Sequence, residues 1–270
     1  MNANGGANSP SLITPTLMAD SSKPINRKDV ISETKLQLFL ALPMIIVNLL
    51  INGMQIVTIM FVGHLSVAAL SGAALGYSFV SVTGISVIIA MSSALDTLCG
   101  QAYGAKQFRL VGIHMQRATI VHVVTCILLT AIWANTGRIL KAIGQNAEIA
   151  ETAGVYALYL IPCVFGYAFL QSQVKFLQTQ SIVLPMVLMS GLTFLFHTCL
   201  CWLMLSKSNL GFRGATLSTS ISVWLSVVIY SLYIKFSANC KETWPGFSKE
   251  AFGGIKFHLR LAIPSTFMVW

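Results

Sequence analysis

The sequence has 270 residues, of which 55% are hydrophobic and only 9% charged, and its net charge is +9 at neutral pH. A water-soluble domain carries about a quarter of its residues charged, so this surface cannot be solvated and must meet lipid. The basic excess does not signal nucleic acid, because the 17 Lys and Arg are scattered through short loops rather than gathered on a basic helix or an aromatic-interleaved stripe.

Residues 1–35 come first, beginning MNANGGANSPSLITPTLMADSSKPINRKD. They are rich in Ser, Asn, Pro and Gly with no apolar core, so they read as a disordered cytoplasmic tail and not as a signal peptide. Six uncharged apolar runs follow, at 36–60, 68–95, 118–135, 152–172, 182–205 and 214–234. A helix of about 20 apolar residues crosses a bilayer, and lipid forces each segment to satisfy its own backbone. The expectation is therefore an all-α membrane protein with a six-helix transmembrane region over 36–234. A cytoplasmic connecting loop over 235–258 and the start of a seventh helix at 259–270 would follow.

The first run carries Asn48, Asn52 and Gln55 at i, i+4 and i+7, which puts three amides on one helix face near mid-membrane. Such groups serve helix–helix hydrogen bonds or line a cavity, and the two uses are compatible. Pro43 in this run and Pro162 in the fourth each remove a backbone donor and are expected to bend their helices. In the second run, GAALG at 72–76 is a close-packing GxxxG step that Thr83 extends. Asp96 lies at the end of that run and is a candidate for a cytoplasmic gate, paired with Lys106 or Arg109 or set against neighbouring helix ends. The Gly100–Gly104 spacing beyond it predicts a tight, closely packed loop.

His122 and His197 are the ring bases within the runs, and neither has a carboxylate near it in sequence. The six cysteines form no metal-like CxxC pair and read as small packing residues. No nucleophile, metal or cofactor pattern is visible, so the chain does not read as an enzyme. It also shows no NPA box, Arg ladder or TVGYG filter of a channel.

Loop charge sets the orientation. With the N-terminus in the cytoplasm, only Arg138, Lys141, Lys207 and Arg213 of the 17 basic residues fall in outer segments. Six crossings then return the chain to the inside, and LAIPST at 261–266 restarts with the polarity and proline of FLALPM at 39–44. An even helix count before such a restart is the mark of a parallel repeat.

MFVGHLSVAALSGAALGYSF (60–79) and MSSALDTLCGQAYGAKQF (91–108) resemble the multidrug and toxic compound extrusion (MATE) transporters, particularly the plant type. LPMIIVN (42–48), GIHMQRA (112–118), KFLQTQ (175–180), LGFRGATLSTSIS (210–222) and WPGFSKEAF (244–252) extend the resemblance over about residues 33–270. It implies twelve helices in two six-helix lobes, with this chain as the N-lobe. It also implies export of small organic compounds, such as xenobiotics and secondary metabolites, in exchange for protons. Many prokaryotic members carry an essential Asp in helix one, where this chain has Asn48 and Asn52. Plant-type members use C-lobe carboxylates, one of them a helix-seven Glu that would lie just past PSTFMVW. The expected setting is the plasma or vacuolar membrane. The expected partners are lipid, a small organic substrate, protons, and the missing C-terminal lobe or a full-length relative. The alternative is a truncated, non-transporting form that associates with or regulates a full-length transporter.

Overall fold

Where a segment holds no charge over its whole membrane depth, helix is the one open structure that hides its backbone from lipid. The computed structural model describes residues 27–208 and 210–269, and among these every regular element is helical. The elements are α1 (Arg27–Gly63), α2 (Val67–Val80), a π-helical turn (Ser81–Ile85), α3 (Ser86–Gly104), α4 (Phe108–Ala134), α5 (Thr136–Ala142), α6 (Ala147–Thr179), α7 (Leu184–Ser206), α8 (Phe212–Phe236) and α9 (Ile255–Val269). Two 3₁₀ turns, Ala238–Cys240 and Lys249–Phe252, lie between α8 and α9.

Six segments are long and apolar enough to cross a membrane, with α2, the π turn and α3 forming one of them, Val67–Gly104. All but α4 and α7 overrun the uncharged stretches at both ends, and those two overrun at one end, because a helix continues into the headgroup layer where charge is tolerated. Residues 1–26 of the expected tail lie outside the described residues, and α1 already begins at Arg27, inside that stretch. The seventh helix likewise starts at Ile255, ahead of residue 259.

By its contacts the chain divides into Met1–Phe39 and Leu40–Trp270. The described part of the first unit is helical, and the Thr34 hydroxyl donates to Val30 O at 2.7 Å.

In the second unit α6 is the axis, in contact with α2, α3, α4, α5 and α8, while α7 packs on α8 and α9 on α3 and α4. Small buried residues make that centrality possible: Ala150, Ala153, Gly154, Ala157, Gly166 and Ala168 let neighbouring backbones come close. Gly76 of α2 rests on α6, where a Cβ would stand 3.0 Å from Ala153 O and 3.1 Å from Tyr156. The GxxxG step is thus an α2–α6 contact. Gly100 and Gly104 behave differently: both belong to α3, and a Cβ on either would meet open space. The expected tight loop is helix.

Helix α7 shows which solvent the bundle is built for. Its buried face carries Ser190, Thr193 and His197, while Leu188, Leu192 and Leu195 at i, i+4 and i+7 are exposed. A soluble helix has the reverse pattern. Capping is ordinary by contrast: Ser66 accepts from Ala69 N at 3.1 Å and Asn146 from Glu148 N at 2.9 Å.

Candidate functional site: a polar cavity beside the first helix

Helix α1 carries no acidic or basic residue beyond Lys35, so its amides are its polar chemistry. Asn48 Nδ2 donates to Met44 O at 3.0 Å and Asn52 Nδ2 to Asn48 O at 2.8 Å, each one turn back on the same helix. Each amide oxygen keeps its capacity as an acceptor. Gln55 is buried, and its Oε1 accepts from the Tyr156 hydroxyl at 3.5 Å.

Asn52 and Gln55 share a cavity of about 90 Å³ with Tyr77, Ser81, Ser86 and Tyr167, closed by aliphatic side chains including Ile51, Met54 and Ile89. No charged side chain lines it. Asn48 and Asn52 are both exposed, but Asn48, one turn earlier on α1, lies outside this lining. Of the three amides picked from their spacing, the fold therefore brings two together. The cavity is large enough for several waters but falls well below the roughly 300–1,000 Å³ of a drug-sized pocket.

Its wall owes its shape to the π turn Ser81–Ile85, which contributes both Ser81 and Ile85. Gly84 within the turn lies directly against the Trp133 ring, with no room for a Cβ. The Trp133 indole N–H donates to Thr83 Oγ1 at 3.1 Å, so α4 clamps the turn from outside. π turns are rare and concentrate at functional sites. Nothing in the residue pattern announced this one.

Behind Met54 lies a second polar cluster. His197 Nε2 sits 2.9 Å from Met54 O and 3.0 Å from Thr58 Oγ1, and Nδ1 sits 3.0 Å from Ser222 Oγ. A carbonyl only accepts, so Nε2 carries the proton and Nδ1 accepts from Ser222. Thr58 also contacts Thr219 at 3.0 Å. The cluster pins α1 to α7 and α8, and His197 is a satisfied structural node. His122 is buried too, with Nδ1 3.1 Å from Ser172 Oγ.

Asp96 pairs with neither Lys106 nor Arg109. Its Oδ2 accepts from Lys175 Nζ of α6 at 2.7 Å, while Arg109 is engaged by Glu250 at 2.6 Å. Pro43 and Pro162 are both accommodated within continuous helices. Around Pro162 the donors come from α8: Ser220 Oγ donates to Tyr159 O at 3.1 Å and Trp224 Nε1 to Pro162 O at 3.0 Å. The carbonyl that Pro162 itself leaves without an i+4 donor is Leu158 O, so these two bonds tie α8 to α6 beside the proline. Among the described residues no three His, Cys, Asp or Glu side chains gather to hold a metal ion.

A helical bundle that turns its hydroxyls, amides and imidazoles inward and its leucines outward is a multi-pass membrane protein. More specifically, the MatE family model matches residues 43–203, and the chain belongs to that family. Protein DETOXIFICATION 16 of Arabidopsis thaliana is 50% identical over 252 residues, which is 93% of this chain and 52% of that protein. The crystal structure of the eukaryotic MATE transporter AtDTX14 superposes with a TM-score of 0.86 at 42% identity, covering 88% of this chain and 53% of that one. A MATE crystal structure in the bent conformation shares the fold at 18% identity, with a TM-score of 0.72 over 86% of this chain and 52% of that one. The chain spans about half the length of the curated relatives it matches, and the fold is that of a MATE N-lobe.

Proposed function

We propose that this chain forms the N-lobe of a membrane antiporter that exports small organic compounds by alternating access, driven by protons. The observation that carries this reading is the uncharged polar cavity of Asn52, Gln55, Tyr77, Ser81, Ser86 and Tyr167 inside a lobe that otherwise faces lipid. Its lining offers amide and hydroxyl hydrogen bonds and aromatic rings without a fixed counter-charge. That combination suits neutral or weakly cationic organic molecules and disfavours multiply charged anions.

At about 90 Å³ the cavity accepts one functional group of such a compound, so a facing wall must supply the rest of the site. A second lobe of the kind carried by the longer relatives supplies that wall. The Asp96–Lys175 pair braces α3 against α6 within this lobe and stiffens the mouth that we place on the cytoplasmic side. Proton coupling rests on the plant-type resemblance, because the cavity has no carboxylate of its own. The N-terminus is placed in the cytoplasm by loop charge, in the plasma or vacuolar membrane.

The test is efflux of a fluorescent organic cation from proteoliposomes under an imposed pH gradient. The 270-residue chain is compared with the same chain joined to the C-terminal half of DETOXIFICATION 16. Gradient-dependent efflux by the joined form, reduced at least tenfold by Asn52→Leu with Gln55→Leu, is the expected result. Efflux indifferent to both substitutions removes the cavity from the translocation path. Binding of the short chain to an intact relative, with no efflux from the joined form, favours the non-transporting alternative.

A further inference from the structure

The segment between α8 and α9 presents a combination that neither a solvated loop nor the transport reading accounts for. Phe247 is 95% exposed, at the tip of the turn WPGFS, with its ring 5.6 Å from the Trp244 ring in edge-to-face contact. Exposed Lys241 and Lys249 flank it; of the neighbouring exposed carboxylates, Glu250 is paired with Arg109 and Glu242 leaves the segment 241–249 with a net charge of +1. The backbone beneath is not loose. Gln116 Nε2 donates to Gly246 O at 2.8 Å and Gln116 Oε1 accepts from Ser248 N at 3.0 Å, so a single α4 side chain grips the peptide on either side of Phe247. Gly112 lies so close to Thr243 O and Pro245 that a Cβ there would have no room.

That grip fixes the depth of the turn. Arg117 is the last charged residue on α4 before the uncharged stretch 118–134. At 1.5 Å per residue the stretch spans about 25 Å, close to the hydrocarbon thickness of a bilayer. Gln116 therefore stands at the boundary between hydrocarbon and headgroups, and Phe247 is held at the same level. Interfacial aromatics flanked by lysines are the residues that seat a segment on a bilayer of negative surface charge.

We infer that residues 241–249 form an interfacial anchor that inserts Phe247 at the acyl boundary and binds anionic lipid headgroups through Lys241 and Lys249. The occupant of this surface is lipid, not another protein segment. The anchor ties the segment leading into α9 to the membrane surface and to α4.

A nitroxide at Phe247→Cys, in a Cys199→Ala background, reports the depth directly. The 270-residue chain is placed in nanodiscs of phosphatidylcholine with or without about a third phosphatidylglycerol. With anionic lipid, collision with oxygen should exceed collision with a water-soluble nickel chelate. That excess should shrink severalfold in phosphatidylcholine alone, or when Lys241→Gln and Lys249→Gln are combined. A label more accessible to nickel than to oxygen overturns the anchor in favour of a solvated loop. A label shielded from both reagents overturns it in favour of a protein partner. Equal depth in the two lipid mixtures overturns the headgroup assignment. No readout depends on transport, so the anchor and the antiporter reading stand or fall separately.

Discussion

Replacing His197 by Phe keeps the ring volume and deletes both nitrogens, which makes it a clean probe of the cluster that pins α1. The contacts that disappear are those of Nε2, which donates to Met54 O at 2.9 Å and lies 3.0 Å from Thr58 Oγ1, and that of the Nδ1 lone pair, which accepts from Ser222 at 3.0 Å. Met54 O keeps the Thr58 hydroxyl, at 3.0 Å, as a donor and Thr58 keeps Thr219, so only Ser222 is left without a partner. Interhelical hydrogen bonds in membrane proteins average about 0.6 kcal/mol and reach about 1.7. A buried hydroxyl left unpaired adds about 1–3 kcal/mol. His197→Phe should therefore cost about 2–3 kcal/mol, or roughly 4–12 °C in melting temperature at about 2–4 °C per kcal/mol. Ser222→Ala alone leaves Nδ1 unpaired and should cost about 1 kcal/mol. The double variant has no orphan and should regain at least 1 kcal/mol of the summed losses. Melting followed by intrinsic fluorescence in detergent, for the four members of the cycle, measures that coupling. Strict additivity would refute the pairing and the tautomer deduced from it.

The Asp96–Lys175 pair, with side chains 42% and 19% exposed, should show a coupling of about 0.5–1 kcal/mol in a cycle of Asp96→Asn and Lys175→Met. Raising salt from 0.1 to 1 M should shrink it, and a coupling that ignores salt would deny the pair its ionic character. Burial pushes the Cys240 thiol up to about 11. At pH 8 only about one thiol in a thousand is then ionised, and the reactive thiolate appears only as pH nears 11. Peptide mapping after N-ethylmaleimide treatment should find Cys240 unmodified until the chain is unfolded; native labelling at pH 7.5 at a free-thiol rate would contradict this. Deleting Val82 removes one residue from the π turn, so the flanking helices should keep their faces and the melting temperature should fall by only a few degrees. Deleting Ala74 from α2 instead rotates half a helix by about 100° and should abolish folding. Equal damage from the two deletions would mean that the turn does not absorb an extra residue.

How far the sequence was legible depended on how local each cause was. Membrane spans are local: an uncharged stretch long enough to cross lipid has one structural answer, so six of them placed six helices to within a few residues at most ends. The amide stripe was equally local in origin, since Asn48, Asn52 and Gln55 share a face by periodicity alone. What periodicity could not supply was what stands opposite. Packing around Ile51 and Met54 shapes a cavity beside Asn52 and Gln55, whereas Asn48 lies outside it although its neighbour Val47 packs into the core. The ion pairs failed for the same reason. Asp96 was offered Lys106 and Arg109 because they follow it in the chain, but helix contacts between α3 and α6 hand it Lys175, and the connecting segment gives Arg109 to Glu250.

The π turn marks the limit of that logic and its consequence for function. Read as one unbroken α-helix, the second span would keep a single phase from Val67 to Gly104. The extra residue at Ser81–Ile85 shifts the phase between α2 and α3. That shift lets Gly76 stay against α6 while Ser81 and Ser86 both reach the cavity. A residue-by-residue pattern cannot reveal the shift, because its determinant is the Trp133 ring of another helix seated on Gly84. The same feature that defeats sequence reading is therefore the one that gives the cavity two of its four hydroxyls. A cavity built on a clamped irregular turn thus stands beside an α1 that is anchored at Thr58 and presents Asn52 and Gln55 to it.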